Sequence, residues 1–263
     1  MSSAHLACLD GVVLPAAEAR IPATDDGLLH GDGAAELLRL HGGAPVALAD
    51  HLARLERTAT ALGLPLDLDA VHADVAELLT AAGTGPEHGL LRIVITRGGR
   101  RLLLTEPAPP APARLRLASV TCAPTRLLDG LGPLGDAARV LASRQARERG
   151  FDEALLVTPH GRALESPAGA LFWVAGGQLA TTPLDDHLAG GPMRDRLLAL
   201  SGAQERPIAL DQLKRADELL LASAVWEVVP VVGVDDAELA VGAVTRDLAT
   251  RVREQIRHEL REG

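Results

Sequence analysis

The first hundred residues alternate between β-rich runs and helical spacing. HLACLDGVVL (5–14) is alternating and rich in strand formers, which predicts an opening strand. GDGAAELLRLHGGAPVAL (31–48) predicts a hairpin about Gly42-Gly43, because paired glycines supply the positive φ that tight turns need. The period then lengthens. Leu52, Leu55, Ala59 and Leu62 form a 3-4-3 stripe, one face of a helix, with Asp50 placed as its N-cap. Pro65 breaks that helix, and DLDAVHADVAELLTAAG (67–83) repeats the pattern up to its terminal glycine. GLLRIVITRGGRRLLLTEP (89–107) reads as two strands about Gly98-Gly99.

EPAPPAPAR (106–114) is the linker candidate, since proline-rich chain favours an extended spacer. Beyond it, RLRLASVTCAP (114–123) opens a second half, followed by a helix at about 136–149 that Gly150 closes. Hairpins are expected at 152–165 and 170–184, and a helix at 190–203 with Gly and Pro at its start. Residues 217–236 are strand-rich, and 245–263 form an amphipathic closing helix. The class is therefore α+β, in two α+β domains, 1–112 and 113–263.

Composition narrows the function. A net charge of −9 argues against a nucleic-acid or anionic-membrane surface, where clustered Lys and Arg neutralise phosphates. No apolar run approaches the roughly 20 residues of a membrane span. The first residues carry no basic and apolar leader pattern, so a cytoplasmic setting is expected. Cys8 and Cys122 suggest reduced thiols rather than a disulfide framework or a metal knuckle. Of the 26 basic residues only Lys214 is a lysine, and tyrosine is absent. Arginine replaces lysine on a surface at little cost, but its guanidinium stays protonated and forms no imine.

Four strings then stand in a telling order: DDGLLHGDGAAELLRLHGGAP (25–45), HLARL (51–55), ARERGFDEALLV (146–157) and ADELLLASAVWEVVPV (216–231). Together they resemble the fold-type IV pyridoxal phosphate (PLP) enzymes, the class IV aminotransferases with 4-amino-4-deoxychorismate lyase. The resemblance implies their two-domain architecture, with a pseudo-barrel second domain, and a homodimer. It also implies a lysine that forms an imine with PLP, four residues before a tyrosine. Anchoring on Val140-Leu141-Ala142 puts Gly132 at the lysine position and Asp136 at the tyrosine position.

Other parts of that pocket are implied residue by residue. Arg54 of HLARL matches the arginine that grips the cofactor phosphate through charge-assisted bonds. Glu165 of LESPAGALF matches the carboxylate that pairs with the pyridine nitrogen, while Ala170 stands where asparagine is usual. GPMR (191–194) keeps the glycine and Arg194 of the phosphate turn but has Met193 for its threonine. Ser223 remains in the last motif, and Ala224 takes a hydroxyl position. Read without the resemblance, Arg54 is as well a solvated helix arginine, Asp136 an N-cap, and His30 a pocket residue or a bystander. No metal site is expected, and no G-x-S-x-G, H-E-x-x-H or Walker pattern offers another chemistry.

Three expectations follow. One is a repurposed pocket for an anionic small molecule, with PLP-independent chemistry by Glu165, Asp136 or Arg54. Another is a non-catalytic homologue, and the last is residual PLP chemistry. No covalently held cofactor is expected, and PLP itself is not expected beyond non-covalent binding.

Overall fold

A computed structural model describes residues 5–83, 88–123, 126–185 and 188–262. The chain folds as two units, Met1–Pro109 with Leu131–Asp136, and Pro110–Gly130 with Ala137–Gly263. The division thus falls three residues before the 112/113 boundary drawn from the sequence, and a short segment returns to the first unit.

The first unit contains β1 (Leu6–Leu9), β2 (Val12–Pro15), α1 (Asp26–His30), β3 (Gly33–His41), β4 (Ala44–Pro45), α2 (Leu48–Leu62), α3 (Leu68–Ala82), β5 (His88–Thr96) and β6 (Arg101–Pro107). Its six strands form one sheet in the order β2-β1-β6-β5-β3-β4. The single opening strand read from the sequence is a hairpin instead. Asp10 and Gly11 both take positive φ, 52° and 87°, and turn the chain between β1 and β2. Leu52, Leu55 and Ala59 of α2 and Val71, Val75 and Leu78 of α3 cover Leu38, Leu91, Ile93 and Leu103 of the sheet. Asp50 is not the N-cap of α2. That place belongs to Ala47, held in the left-handed region without a side-chain cap, and Asp50 lies in the first turn, where it favours the helix dipole.

Residues 131–136 lie along the start of β3. Ala35 N donates to Gly132 O, Leu134 N to Gly33 O, and Gly135 N to Gly31 O. Glycine is required on this seam: a Cβ on Gly33 would lie 2.4 Å from Ile95 O, and one on Gly31 2.8 Å from the Gly135 Cα.

The second unit contains β7 (Leu115–Thr121), α4 (Ala137–Glu148), β8 (Glu153–Val157), β9 (Arg162–Ala163), β10 (Ala170–Ala175), β11 (Gln178–Thr181), α5 (Pro192–Ser201), β12 (Gln204–Glu205), β13 (Ile208–Ala209), α6 (Leu210–Leu213), β14 (Glu218–Ser223), β15 (Glu227–Val234), β16 (Ala237–Glu238) and α7 (Ala243–Glu262). Its strands run β12-β11-β10-β14-β15-β7-β8-β9-β13, with β16 beside β15. The two end strands, β12 and β13, are separated in the chain by only Arg206 and Pro207. A sheet whose ends are joined so closely must curl back on itself, which gives the barrel-like form. Trp173, Leu171, Leu219, Leu221, Val229 and Leu155 fill one face, and Ala142 and Ala146 of α4 pack with Leu156 and Leu164.

Glu218 caps α7 from β14. Its carboxylate accepts from Val244 N (3.1 Å), Thr245 N (2.8 Å) and Thr245 Oγ1 (2.7 Å), meeting amides that a helix start leaves unpaired. Burial alone would raise this carboxyl, but the Thr245 and Val244 bonds outweigh it and hold it below its ordinary value near 4.5. A depressed folded pKa adds stability above the unfolded value, and that stability is lost as pH falls through the folded one. Glu218→Gln therefore costs about 1 kcal/mol at pH 7. The gap to wild type closes steadily below about pH 4.5 in thermal melts, and a gap independent of pH would refute the assignment.

Candidate functional site

Strand ends of the second unit converge on Glu165. The chain leaves β9, passes Glu165 and turns tightly, with Ser166 and Gly169 exchanging backbone bonds of 3.0 and 3.1 Å, before entering β10. That turn lies against the end of β14, where a Cβ on Gly169 would sit 2.3 Å from Ala222 O. Ser223 follows, buried, its Oγ accepting from Val225 N (3.2 Å) and Trp226 N (3.3 Å), so the hydroxyl organises the β14–β15 loop that contains Ala224. Ala170 opens β10 opposite Ala222.

Glu165 is 4% exposed at its side chain. Its Oε1 accepts from Arg139 Nη1 at 2.5 Å and from Ala189 N at 3.1 Å. Both bonds fall on Oε1, and no described residue donates to Oε2. The Ala189 bond ties the carboxylate to the loop that leads into α5. At the start of α5, Pro192 occupies the first turn, and the amides of Met193 and Arg194 lack partners within the helix. A helix start of this kind attracts anions. The Met193 side chain is buried and brings no hydroxyl. Arg194 does not reach outward: it is 3% exposed and donates from Nη2 to Thr182 O (2.8 Å) and to Glu205, bracing α5 against β11 and β12.

The first unit has its own buried charge cluster. Glu36 of β3, its side chain fully buried, accepts from Arg54 Nε (2.7 Å) and Nη2 (3.0 Å) and lies 2.7 Å from His51 Nδ1. His51 and Arg54 stand three residues apart on α2 and so share a face. Thr58, one turn further, donates to Arg54 O and accepts from Gly132 N at 3.0 Å. Arg54 is thus engaged by a carboxylate rather than presented to solvent. A Cβ on Gly132 would meet Ala35 O at 3.0 Å, Glu36 Oε1 at 3.4 Å and Arg54 Nη2 at 3.6 Å.

The remaining predicted residues are dispersed. The His30 side chain is 71% exposed and 3.8 Å from Asp26. Asp136 is exposed just ahead of α4. Lys214 follows α6, its Nζ 3.1 Å from Asp235 and 2.9 Å from Asp236. Sequence reading missed Arg139, Glu36, His51 and Thr58. The signal for Glu36 was present in AAELL, a carboxylate in an otherwise apolar run of five residues, which a fold buries only with partners. Among the described residues no group of three or more His, Cys, Asp or Glu is placed to hold a metal, and no helix is long and apolar enough to cross a membrane.

The arrangement accepts a ring N–H at Glu165 Oε2 and an anion at the start of α5. Those two features fit the pyridine nitrogen and the phosphate of PLP, and the placing of both Glu165 hydrogen bonds on Oε1, which leaves Oε2 for a ligand, carries that fit.

Relatives point the same way. The family model for amino-transferase class IV matches residues 33–234. A putative branched-chain-amino-acid aminotransferase of Methanocaldococcus jannaschii is 29% identical over 272 residues, covering 94% of each chain. The crystal structure of 4-amino-4-deoxychorismate lyase from Pseudomonas aeruginosa is similar at a TM-score of 0.83 and 29% identity, over 95% of this chain and 98% of that one. A hypothetical aminotransferase from Mycobacterium tuberculosis, solved in a PLP-bound form, shares the fold at a TM-score of 0.85 and 21% identity, over 96% and 98%. These findings overturn the expectation that PLP has no regular place here: the kin are aminotransferases, and a protein of the same fold holds the cofactor. The family match runs from the first residue of β3 to the last of β15, and the chain belongs to the amino-transferase class IV family.

Proposed function

We propose that the chain binds a phosphate- or carboxylate-bearing small molecule at the Glu165–α5 site, PLP and pyridoxamine phosphate included. We further propose that lysine-dependent aminotransfer is not its reaction. The observation that carries the reading is Glu165, a buried carboxylate with one oxygen satisfied by Arg139 and Ala189 N and the other unmet among the described residues. PLP, when bound, supplies an electron sink for chemistry at an amino-acid carbon. The protein's own part is to accept the ring N–H at Oε2 and to hold the anion with the amides of Met193 and Arg194. Gly132 brings no amine. The bond to Asp236, and with it Asp235, raises the Lys214 ammonium above its ordinary value and keeps it charged, the wrong state for attack on a carbonyl.

Calorimetric titration with pyridoxamine phosphate, PLP and inorganic phosphate tests the reading. Wild-type protein binds all three, and Glu165→Gln weakens the two ring compounds about 10- to 100-fold, as expected for a bond to a charged group, while sparing phosphate. Binding of none would leave the second reading, a non-catalytic homologue, which the engagement of Arg54 by Glu36 favours. Turnover of an amino acid with a 2-oxo acid, together with borohydride fixation of PLP to Lys214, would defeat the lysine-free half.

The same reading includes a homodimer in the cytoplasm. Leu28 and Leu29 of the first unit, and Leu127, Val140 and Leu141 of the second, are exposed on the single chain, and the free Cys8 and Cys122 suit a reducing compartment. Sedimentation at micromolar concentration yields twice the chain mass if this holds.

A further inference from the structure

A buried carboxylate is seldom left to itself, and the partner of Glu165 is a residue that the sequence did not single out. Arg139 stands in the first turn of α4, 24% exposed at its side chain. Its two terminal nitrogens act as a fork. Nη1 donates to Glu165 Oε1 at 2.5 Å and Nη2 to Ser166 O at 3.0 Å, so one rigid group fixes both the carboxylate and the backbone of the turn behind it. Ala189 N closes the remaining approach to Oε1 at 3.1 Å. The Cys122 thiol interacts electrostatically with both, and burial foremost pushes it up and so keeps it neutral.

An ionised carboxylate is costly to bury unless a cation faces it. The Arg139 guanidinium, which stays protonated, supplies that cation and bonds one carboxylate oxygen only. We infer that Arg139 is a positioning residue for Glu165: it fixes Oε1 so that Oε2 is the oxygen left for the ligand, and by keeping that carboxyl charged it steadies the proton on the ligand's ring nitrogen.

This rests on the ligand reading above, and the experiment separates the two. Infrared spectra of ligand-free protein at pH 7 are compared for wild type, Arg139→Met, and Arg139→Met with Glu165→Gln. A protonated-carboxyl band present in Arg139→Met and absent from the other two supports the inference, and absence of that band from Arg139→Met overturns it. With pyridoxamine phosphate bound, absorbance is then titrated against pH. The ring-nitrogen midpoint falls by about one unit, a tenfold loss in proton affinity, in Arg139→Met, because a neutral carboxyl no longer accepts the ring N–H. A purely bracing role for Arg139 would weaken binding and leave that midpoint unmoved, which also overturns the inference.

Wild type that binds no pyridoxamine phosphate defeats the ligand reading and, with it, the ring-nitrogen half, while the infrared result still judges the hold on Glu165. Should Arg139→Met fail to fold, Arg139→Lys takes its place. An ammonium keeps the charge but cannot span Oε1 and Ser166 O together, so affinity falls several-fold at an unchanged ring midpoint. Unchanged affinity, or a midpoint shifted as for the methionine variant, overturns the inference.

Discussion

Glu36→Ala lowers the stability of the first unit by about 3–5 kcal/mol, the size expected when one partner of a buried ion pair is removed. Glu36 receives Arg54 through two nitrogens and lies beside His51, and its side chain is fully buried. Without it the guanidinium loses the carboxylate that meets two of its nitrogens. Adding Arg54→Met to Glu36→Ala recovers a large share of the loss, because the charge deprived of that carboxylate is then gone. Urea unfolding of the two variants and wild type measures both effects. A loss below about 1 kcal/mol for Glu36→Ala would mean that the cluster is solvated and loosely held.

Gly169→Ala gives the second large effect. The added carbon would lie 2.3 Å from Ala222 O, 2.9 Å from Ala222 C and 3.1 Å from Ser223 Cα, all backbone atoms that cannot swing aside. The strand ends must separate, at a cost of about 2–3 kcal/mol. Because Ser166 and Glu165 belong to the same turn, affinity for pyridoxamine phosphate falls more than tenfold at the same time. Gly89→Ala is the control: its nearest neighbours are 3.5 Å away, ordinary contact, and its melting temperature stays near that of wild type. Equal melting temperatures for the two variants would show that the β10–β14 contact yields easily.

Much of the fold was written in local pattern. The hairpins at Gly42-Gly43 and Gly98-Gly99, the apolar stripes of α2 and α3, and the amphipathic α7 each follow from residues within a few turns of one another. Asp10-Gly11 was equally legible as a turn, but the β-rich residues on both sides masked it. Ala47 gives no such sign, since its left-handed backbone is imposed by the β4–α2 connection rather than by its side chain. The candidate site divides in the same way. Glu165 and the start of α5 came from motif strings, whereas the Arg139–Glu165 pair joins residues 26 apart and leaves no periodic trace. Arg194 shows the converse limit: its string matched the family, yet its side chain is spent on Thr182 O and Glu205.

The return of residues 131–136 to the edge of β3 means that the polypeptide passes between the two units three times. No single cut can therefore release either half intact. A fragment ending at Pro109 would lack the strip that pairs with Gly31, Gly33 and Ala35, and would expose a bare strand margin open to self-association. Recombining halves with a relative faces the same constraint: the hexapeptide must travel with the amino-terminal piece, or be supplied by a matching one.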